Sequence, residues 1–221
     1  MKYGIAALSI IPLRKEASHR SEMVSQLLFG ETYEIIQEQN NWLFVKCSYD
    51  GYEGWIDQNQ FTELPERDFN NIIANDNGLA LDLVSSATSG YHSVPIVAGS
   101  NLPFFDGLNF KTGKEKFIYN GQAIQSEGKN TSLVERVAMR YLNAPYLWGG
   151  RSPFGIDCSG FTQVVYKFTC VKLLRDAYQQ AEQGTLLNFI DEAQQGDLAF
   201  FNNPEAKITH VGIVLRDNRI I

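Results

Sequence analysis

The sequence predicts a multidomain chain in which two small β-barrels precede an α+β domain. Three observations predict it. Residues 1 to about 128 fall into short runs that alternate apolar and polar residues between turn signals, the mark of half-buried strands. After Asp157 the apolar spacing becomes helical. Near the C-terminus, two β-prone runs face each other across a polar stretch.

The first block, residues 1–63, is clearest over ETYEIIQEQNNWLFVKCSYDGYEGWIDQNQFTEL. Asn-Asn and Asp-Gly separate its runs, as in hairpins whose central residues take positive φ. Gly30, Gly51 and Gly54 are placed at the corners. The order G-E-x-Y-x-I, N-N-W-L-x-V, Y-x-G-W-I resembles bacterial SH3-like modules. The second block, residues 66–128, carries VPIVAGSNLPFFDG and KFIYNGQ in the same style without the tryptophans. It reads as a second, diverged SH3-like barrel, with EGKN at 127–130 as a plain linker turn rather than a phosphate loop.

Gly149, Gly150, Pro153 and Gly155 then make an irregular loop, since glycine tolerates positive φ and proline removes a donor. In CSGFTQVVYKF, Phe161, Val164, Val165 and Phe168 follow the one-face spacing of a buried amphipathic helix. Cys158 therefore falls in the first turn, with Asp157 as a cap and Ser159 as a second candidate cap. Unpaired N–H groups and the positive end of the helix dipole favour a thiolate there, so the expectation is a nucleophile of depressed pKa.

A nucleophile needs a base, and the chain has three histidines, His19, His92 and His210. His19 in RKEASHRSE and His92 in SGYHSVP lie in turn-like contexts that suit a solvated imidazole. His210 opens HVGIVL, which follows GDLAFF across a polar stretch, and both runs read as strands of one hairpin.

Taken together, Y-x-W-G-G, D-C-S-G-F opening a helix, G-D-L-x-F-F and H-V-G-I resemble the NlpC-type cell-wall cysteine peptidases over about Ser132 to Ile221. The domain is taken as residues 130–221. The resemblance implies a papain-like α+β fold that hydrolyses the bond between γ-D-glutamate and a diamino acid in peptidoglycan peptides. It implies Cys158 as nucleophile, His210 as general base and Tyr146 as a hydroxyl that helps hold the oxyanion. Two barrels ahead of such a domain resemble the bacterial enzymes that recycle cell-wall peptides by releasing L-Ala-γ-D-Glu from fragments with a free N-terminal alanine. There a barrel walls off one end of the cleft and acids meet the terminal ammonium. In RDAYQQ, Asp176 corresponds to such an acid, and Tyr178 stands where a small hydroxyl residue is common. Trp148, Asp157 and Ser159 are expected to line the same subsite. Glu53 is a candidate acid reaching across the domain boundary, with a solvated surface position the plainer reading. Arg151 and Arg175 have the bidentate geometry that suits substrate carboxylates, although solvation is the plainer reading of Arg151.

The family places a third polar residue roughly a dozen positions after the base, where it orients the imidazole. The sequence ends at Ile221, and Asn218 is too early and too turn-like to replace it. The resemblance thus implies either a longer chain or an incomplete triad. Two alternatives stay open beside the peptidase: a catalytically weak or inactive peptidoglycan-binding protein, and an amidase or acyltransferase on a related papain-like scaffold.

Composition bounds the rest. At 221 residues and 44% hydrophobic content, the chain suits three small units. A net charge of −6 and dispersed basic residues argue against nucleic acid and anionic membranes. No run approaches the ~20 apolar residues of a membrane span. MKYGIAALSIIPLRKEAS has a short apolar stretch with Arg14-Lys15 at the wrong end for a secretory signal, so a cytoplasmic location is expected, with a periplasmic or secreted one if a signal peptide was removed. Cys47, Cys158 and Cys170 are odd in number and lack metal-ligand spacing. No metal or other cofactor is expected, and a monomer is.

Overall fold

The computed structural model describes residues 2–75, 77–125, 131–216 and 219–221, with Thr131 and Ser132 described at the backbone alone. The linker turn expected at 127–130 and Asn218 lie outside the described residues.

The first unit is built from β1 (Lys2–Ile5), β2 (Ile10–Arg14), β3 (Met23–Leu28), β4 (Thr32–Gln39), β5 (Trp42–Cys47), β6 (Glu53–Asp57) and β7 (Glu63–Leu64). They hydrogen-bond in the order β3-β2-β6-β5-β4-β1-β7. The apolar start of the chain thus supplies two strands of this sheet. Asn40 and Asn41, at φ 48° and 65°, turn β4 back into β5, as a two-residue hairpin with paired positive φ requires. Gly54 departs from expectation, because it lies inside β6 rather than at a corner. A Cβ there would press on Leu13 of β2. Ile11, Leu13, Leu27, Tyr33, Leu43, Val45 and Ile56 fill the interior.

The second block begins with a helix instead of a strand, α1 (Glu66–Ala74). Phe69 and Ile72 share one face, and Glu66 and Asp68 occupy the first turn, where the helix dipole favours acids. That face packs on Ile5 and Leu64, and Tyr3 stacks on Phe69 at 4.0 Å. The helix therefore belongs with the first unit. Seven short strands follow: β8 (Gly78–Ala80), β9 (Val84–Thr88), β10 (Ser93–Val97), β11 (Asn101–Leu102), β12 (Asn109–Thr112), β13 (Glu115–Tyr119) and β14 (Ala123–Ile124). They form one sheet of order β10-β9-β13-β12 and another of order β11-β8-β14. Both close over Ile96, Leu102, Phe110 and Phe117, together with Phe29 from the first unit.

The third unit holds α2 (Thr131–Arg140), the hairpin β15 (Arg151–Ser152) and β16 (Gly155–Ile156), α3 (Cys158–Lys167), α4 (Ala177–Ala181), and the hairpin β17 (Leu198–Asn202) and β18 (Ile208–Ile213). Phe161, Val164, Val165 and Phe168 of the α3 face pack against Leu133, Val134 and Val137 of α2 and Ile213 of β18. Leu28, Val97 and Ala98 join the same cluster from the other two units. The first two units thus keep cores of their own, as expected, and also lend residues to the cluster around the α3 helix. Two glycines with positive φ permit this close approach. A Cβ on Gly30 (φ +77°) would overlap the Asn101 carbonyl, and one on Gly149 (φ +78°) would overlap the Met23 carbonyl.

Candidate active site

Asp157 caps α3 with extended backbone, and its Oδ1 accepts the Gly160 N–H at 2.7 Å. Cys158 is then the first helical residue, partly buried. In the β17–β18 hairpin, Phe201 pairs with His210 and Phe200 with Val211. The N–H of Val211, one residue beyond His210, lies near enough to the Cys158 sulfur to favour its anion. A cavity of about 230 Å³ is lined by Cys158, His210 and Tyr146, with Tyr141, Leu142, Phe161 and Ile221 among its walls. Tyr146 is held there by a backbone bridge to Ile156, just before the cap. Three residues distant in sequence are thereby brought to one opening. A second cavity, of about 270 Å³, lies on the second β unit between Phe104 and Lys116 and shares no residue with the first.

The charge state of the sulfur differs from expectation. Burial pushes the Cys158 thiol above its ordinary value and the Asp157 charge adds to that, while N–H groups of Val211, Ser159 and Cys158 pull the other way. A helix head alone does not make this sulfur a thiolate, because burial and, after it, the charge of the capping Asp157 oppose the anion. Burial, with the Cys158 and Asp157 charges, also raises the Tyr146 phenol, keeping it a donor.

Among the described residues no side chain hydrogen-bonds the His210 ring, which packs on Phe201 at 5.7 Å. Ile221 exchanges backbone hydrogen bonds with Ile213, and Ile220 bridges to Val214, so the last residues run antiparallel along β18.

Several residues expected at the substrate subsite are committed to the scaffold. Asp157 is buried, and its oxygens accept from Gly149 N–H at 2.8 Å, Gly160 N–H, and both terminal nitrogens of Arg175 at 3.0 and 2.7 Å. With its lone pairs filled, it has none to offer a substrate ammonium. Ser159 is buried as well, its hydroxyl accepting from Arg175 at 2.9 Å. Arg175, 1% exposed, meets Asp157 and Ser25 rather than a substrate carboxylate. Arg151 is also buried, not solvated, and pairs with Glu31 of the first unit.

Asp176 is different. It is half-buried at the start of α4, which packs on β18, and the Tyr52 hydroxyl of the first barrel approaches its Oδ1 at 3.5 Å. Burial raises its carboxyl above the ordinary value, against the pull of Arg175 and the Tyr52 hydroxyl. Tyr178 stands exposed on the same short helix, close enough to act on the Tyr52 hydroxyl. Glu53 points into solvent, and its neighbour Tyr52 is the residue that crosses the boundary. The clue in the sequence was the Asp-Gly turn, which sets Tyr52 and Glu53 on opposite sides of the strand they enter. Trp148 is exposed, and its indole N–H donates to Glu22 of the first barrel at 2.7 Å. Among the described residues, no group of three or more His, Cys, Asp or Glu is placed to hold a metal.

Residues 143–221 match the NlpC/P60 family model, and residues 13–61 match the bacterial dipeptidyl-peptidase SH3 domain. The gamma-D-glutamyl-L-lysine dipeptidyl-peptidase of Bacillus subtilis (strain 168) is 29% identical over 214 residues, covering 89% of this chain and 71% of that relative. Dipeptidyl-peptidase 6 of Lysinibacillus sphaericus is 28% identical over 224 residues, covering 86% and 78%. The crystal structure of an NlpC/P60 family protein from Bacillus cereus ATCC 10987 superposes with a TM-score of 0.87 over 99% of this chain and 90% of its own, at 18% identity. That likeness establishes the shared fold across all three units.

Proposed function

We propose, from the premise that this chain carries an NlpC/P60 peptidase domain behind a bacterial dipeptidyl-peptidase SH3 domain, that it hydrolyses the bond between γ-D-glutamate and a diamino acid in wall-derived peptides with a free N-terminal L-alanine. The observation that carries this reading is the meeting of Cys158, His210 and Tyr146 at one cavity. The names of the Bacillus subtilis and Lysinibacillus sphaericus relatives support the bond and the end preference. The second β unit is read as a diverged SH3-like barrel on the strength of seven short antiparallel strands around one core.

In this mechanism His210 takes the Cys158 proton and the resulting thiolate attacks the γ-glutamyl carbonyl. The Cys158 N–H at the helix head and the Tyr146 hydroxyl face the negative charge that develops on oxygen. His210 then gives its proton to the leaving amine, and water activated by His210 hydrolyses the thioester. Because burial holds the resting sulfur as a thiol, the transfer to His210 is part of the barrier. At the other end, Asp176 and Tyr52 receive the N-terminal ammonium, whose charge pairs with the half-buried carboxylate.

Mass spectrometry of products from L-Ala-γ-D-Glu-diamino acid tests bond and end together. The dipeptide L-Ala-γ-D-Glu is the expected product, N-acetylation should slow its release strongly, and Cys158→Ser should stop turnover with the fold intact. Undiminished hydrolysis by Cys158→Ser would reject the nucleophile. Equal rates on acetylated peptide would reject the ammonium site.

A further inference from the structure

We propose that Glu31 of the first barrel is a positioning residue for the nucleophile: its carboxylate fixes the catalytic helix from both sides of Cys158, through Arg151 ahead of it and Lys167 behind it. The inference rests on the peptidase reading and extends it to residues outside the cavity.

Both oxygens of Glu31 are used. Oε2 accepts from Arg151 Nη1 at 2.8 Å and from the Leu28 N–H at 2.9 Å. Oε1 accepts from Arg151 Nη2 at 3.0 Å and from Lys167 Nζ at 2.7 Å. All three side chains are buried. Lys167 Nζ also donates to the Gly99 carbonyl of the second unit at 2.7 Å. Arg151 donates from Nη1 to the Gln26 carbonyl at 2.6 Å and from its backbone to Gln26 Oε1 at 2.7 Å. The Tyr49 ring lies under both cations, 5.9 Å from the guanidinium and 5.0 Å from the ammonium. Asp50 of the same barrel adds a tie to the middle of α3, accepting from Gln163 Nε2 at 2.8 Å.

Chain order gives each tie its consequence. Arg151 opens β15, whose partner β16 runs into Asp157 and Cys158. Lys167 closes α3, ~14 Å along the helix from Cys158 at 1.5 Å per residue. Apolar contacts on the α3 face resist separation but are non-directional, so they set the rotation and axial position of the helix loosely. Charge-assisted hydrogen bonds are directional, and here they act on both sides of the sulfur. A displacement of about one ångström at a reacting group lowers rates on the order of a hundredfold. Buried ionic triads are often replaceable by apolar side chains without loss of stability, so placement rather than stability is the role this one fits. The barrel becomes part of the catalytic framework and not only a wall of the cleft.

The test uses the full chain. Lys167→Met removes the Glu31 tie to the end of α3 while leaving Glu31 neutralised by Arg151 and the Asp50–Gln163 bond in place, and Glu31→Gln weakens both Glu31 ties. Folding is read by circular dichroism, Cys158 reactivity by iodoacetamide across pH with peptide mass mapping to separate it from Cys47 and Cys170, and turnover as kcat and KM on the tripeptide. Both variants are expected to fold at room temperature, to lose about tenfold or more in Cys158 alkylation with a shifted pH midpoint, and to lose about tenfold or more in kcat with KM nearly constant. Folded variants with wild-type alkylation profiles and wild-type kcat would overturn the proposal and leave the triad a purely stabilising feature. If one variant is unfolded the other decides, and unfolding of both also overturns it, because the triad then serves the fold. Should the wild type leave the tripeptide uncut, the peptidase reading fails while the alkylation profiles still decide the positioning role.

Discussion

Two helix heads flank Arg175, and each begins with an aspartate. At the head of α3, Asp157 is 5% exposed and fully engaged by two backbone N–H groups and a bidentate guanidinium. At the head of α4, Asp176 is only half-buried, and its approach across the domain boundary is a single hydroxyl at 3.5 Å. The residue type and helix position are the same, but the number of occupied lone pairs differs. The comparison teaches that a carboxylate at a helix head becomes scaffold or stays available for binding according to what already fills it. A filled carboxylate holds the sulfur's helix in place; an under-filled one keeps capacity for a substrate ammonium.

The largest effect that tests this contrast is on stability. Asp157→Ala leaves Arg175 buried without a counter-ion and removes the α3 cap, so a loss of about 3–5 kcal/mol is expected in urea denaturation. A loss below about 1 kcal/mol would mean that Arg175 finds another partner and that the two aspartates do not differ as described. Asp176→Asn should instead leave stability within about 1 kcal/mol, because no buried cation depends on that residue alone. Its KM for the free tripeptide should rise about tenfold and approach that of the acetylated peptide, as expected for a charged contact worth about 1.5 kcal/mol or more. An unchanged KM would remove Asp176 from the ammonium site.

Acid sharpens the comparison in a different way. Burial alone would raise the Glu31 carboxyl, yet the charges of Arg151 and Lys167 outweigh it and hold it down at about 2, against an ordinary value of 4.5. A depressed folded-state pKa gives stability that is present above the ordinary value and lost as pH falls toward about 2. Asp176, raised by burial, has the opposite sign, since its contribution is present in acid and lost as pH rises through its folded-state value. Between pH 4.5 and 2, wild type should lose stability more steeply than Glu31→Gln, and parallel curves would show that the triad does not hold Glu31 charged. The smallest effect is that of Tyr52→Phe. It removes one long hydrogen bond to Asp176 and should raise KM a few-fold, on the order of 0.5–1.5 kcal/mol; no change in KM would leave Asp176 as the sole ammonium contact.

Much of the third unit was legible because its signals are local. The spacing of Phe161, Val164, Val165 and Phe168 places a helix with one buried face, and the structure has α3 there, starting at Cys158. GDLAFF and HVGIVL read as paired strands, and β17 and β18 pair with Phe201 opposite His210. The helix α1 was missed because Phe69 and Ile72 give just two core positions amid a β-like block. Arg151 escaped because nothing local to it differs from a solvated arginine; its partner Glu31 is a hundred and twenty residues away. Tyr52 escaped because reach across a boundary depends on which side of a strand a residue leaves, while Glu53 is exposed, as its plainer reading had it.

The sequence by itself determined where a helix begins, which cysteine heads it, which histidine sits on a rigid strand and that Asn40-Asn41 turns with positive φ, because each follows from a few neighbouring residues. Only the tertiary structure decided the fate of the charges. Whether Asp157, Asp176, Glu31, Arg151 and Arg175 are buried, paired or left with free lone pairs depends on groups brought together from distant parts of the chain. Burial raises the Cys158 thiol and the Asp176 carboxyl, whereas pairing with Arg151 and Lys167 lowers Glu31 against it. Desolvation and pairing act through space, and the order of residues along a chain does not carry them.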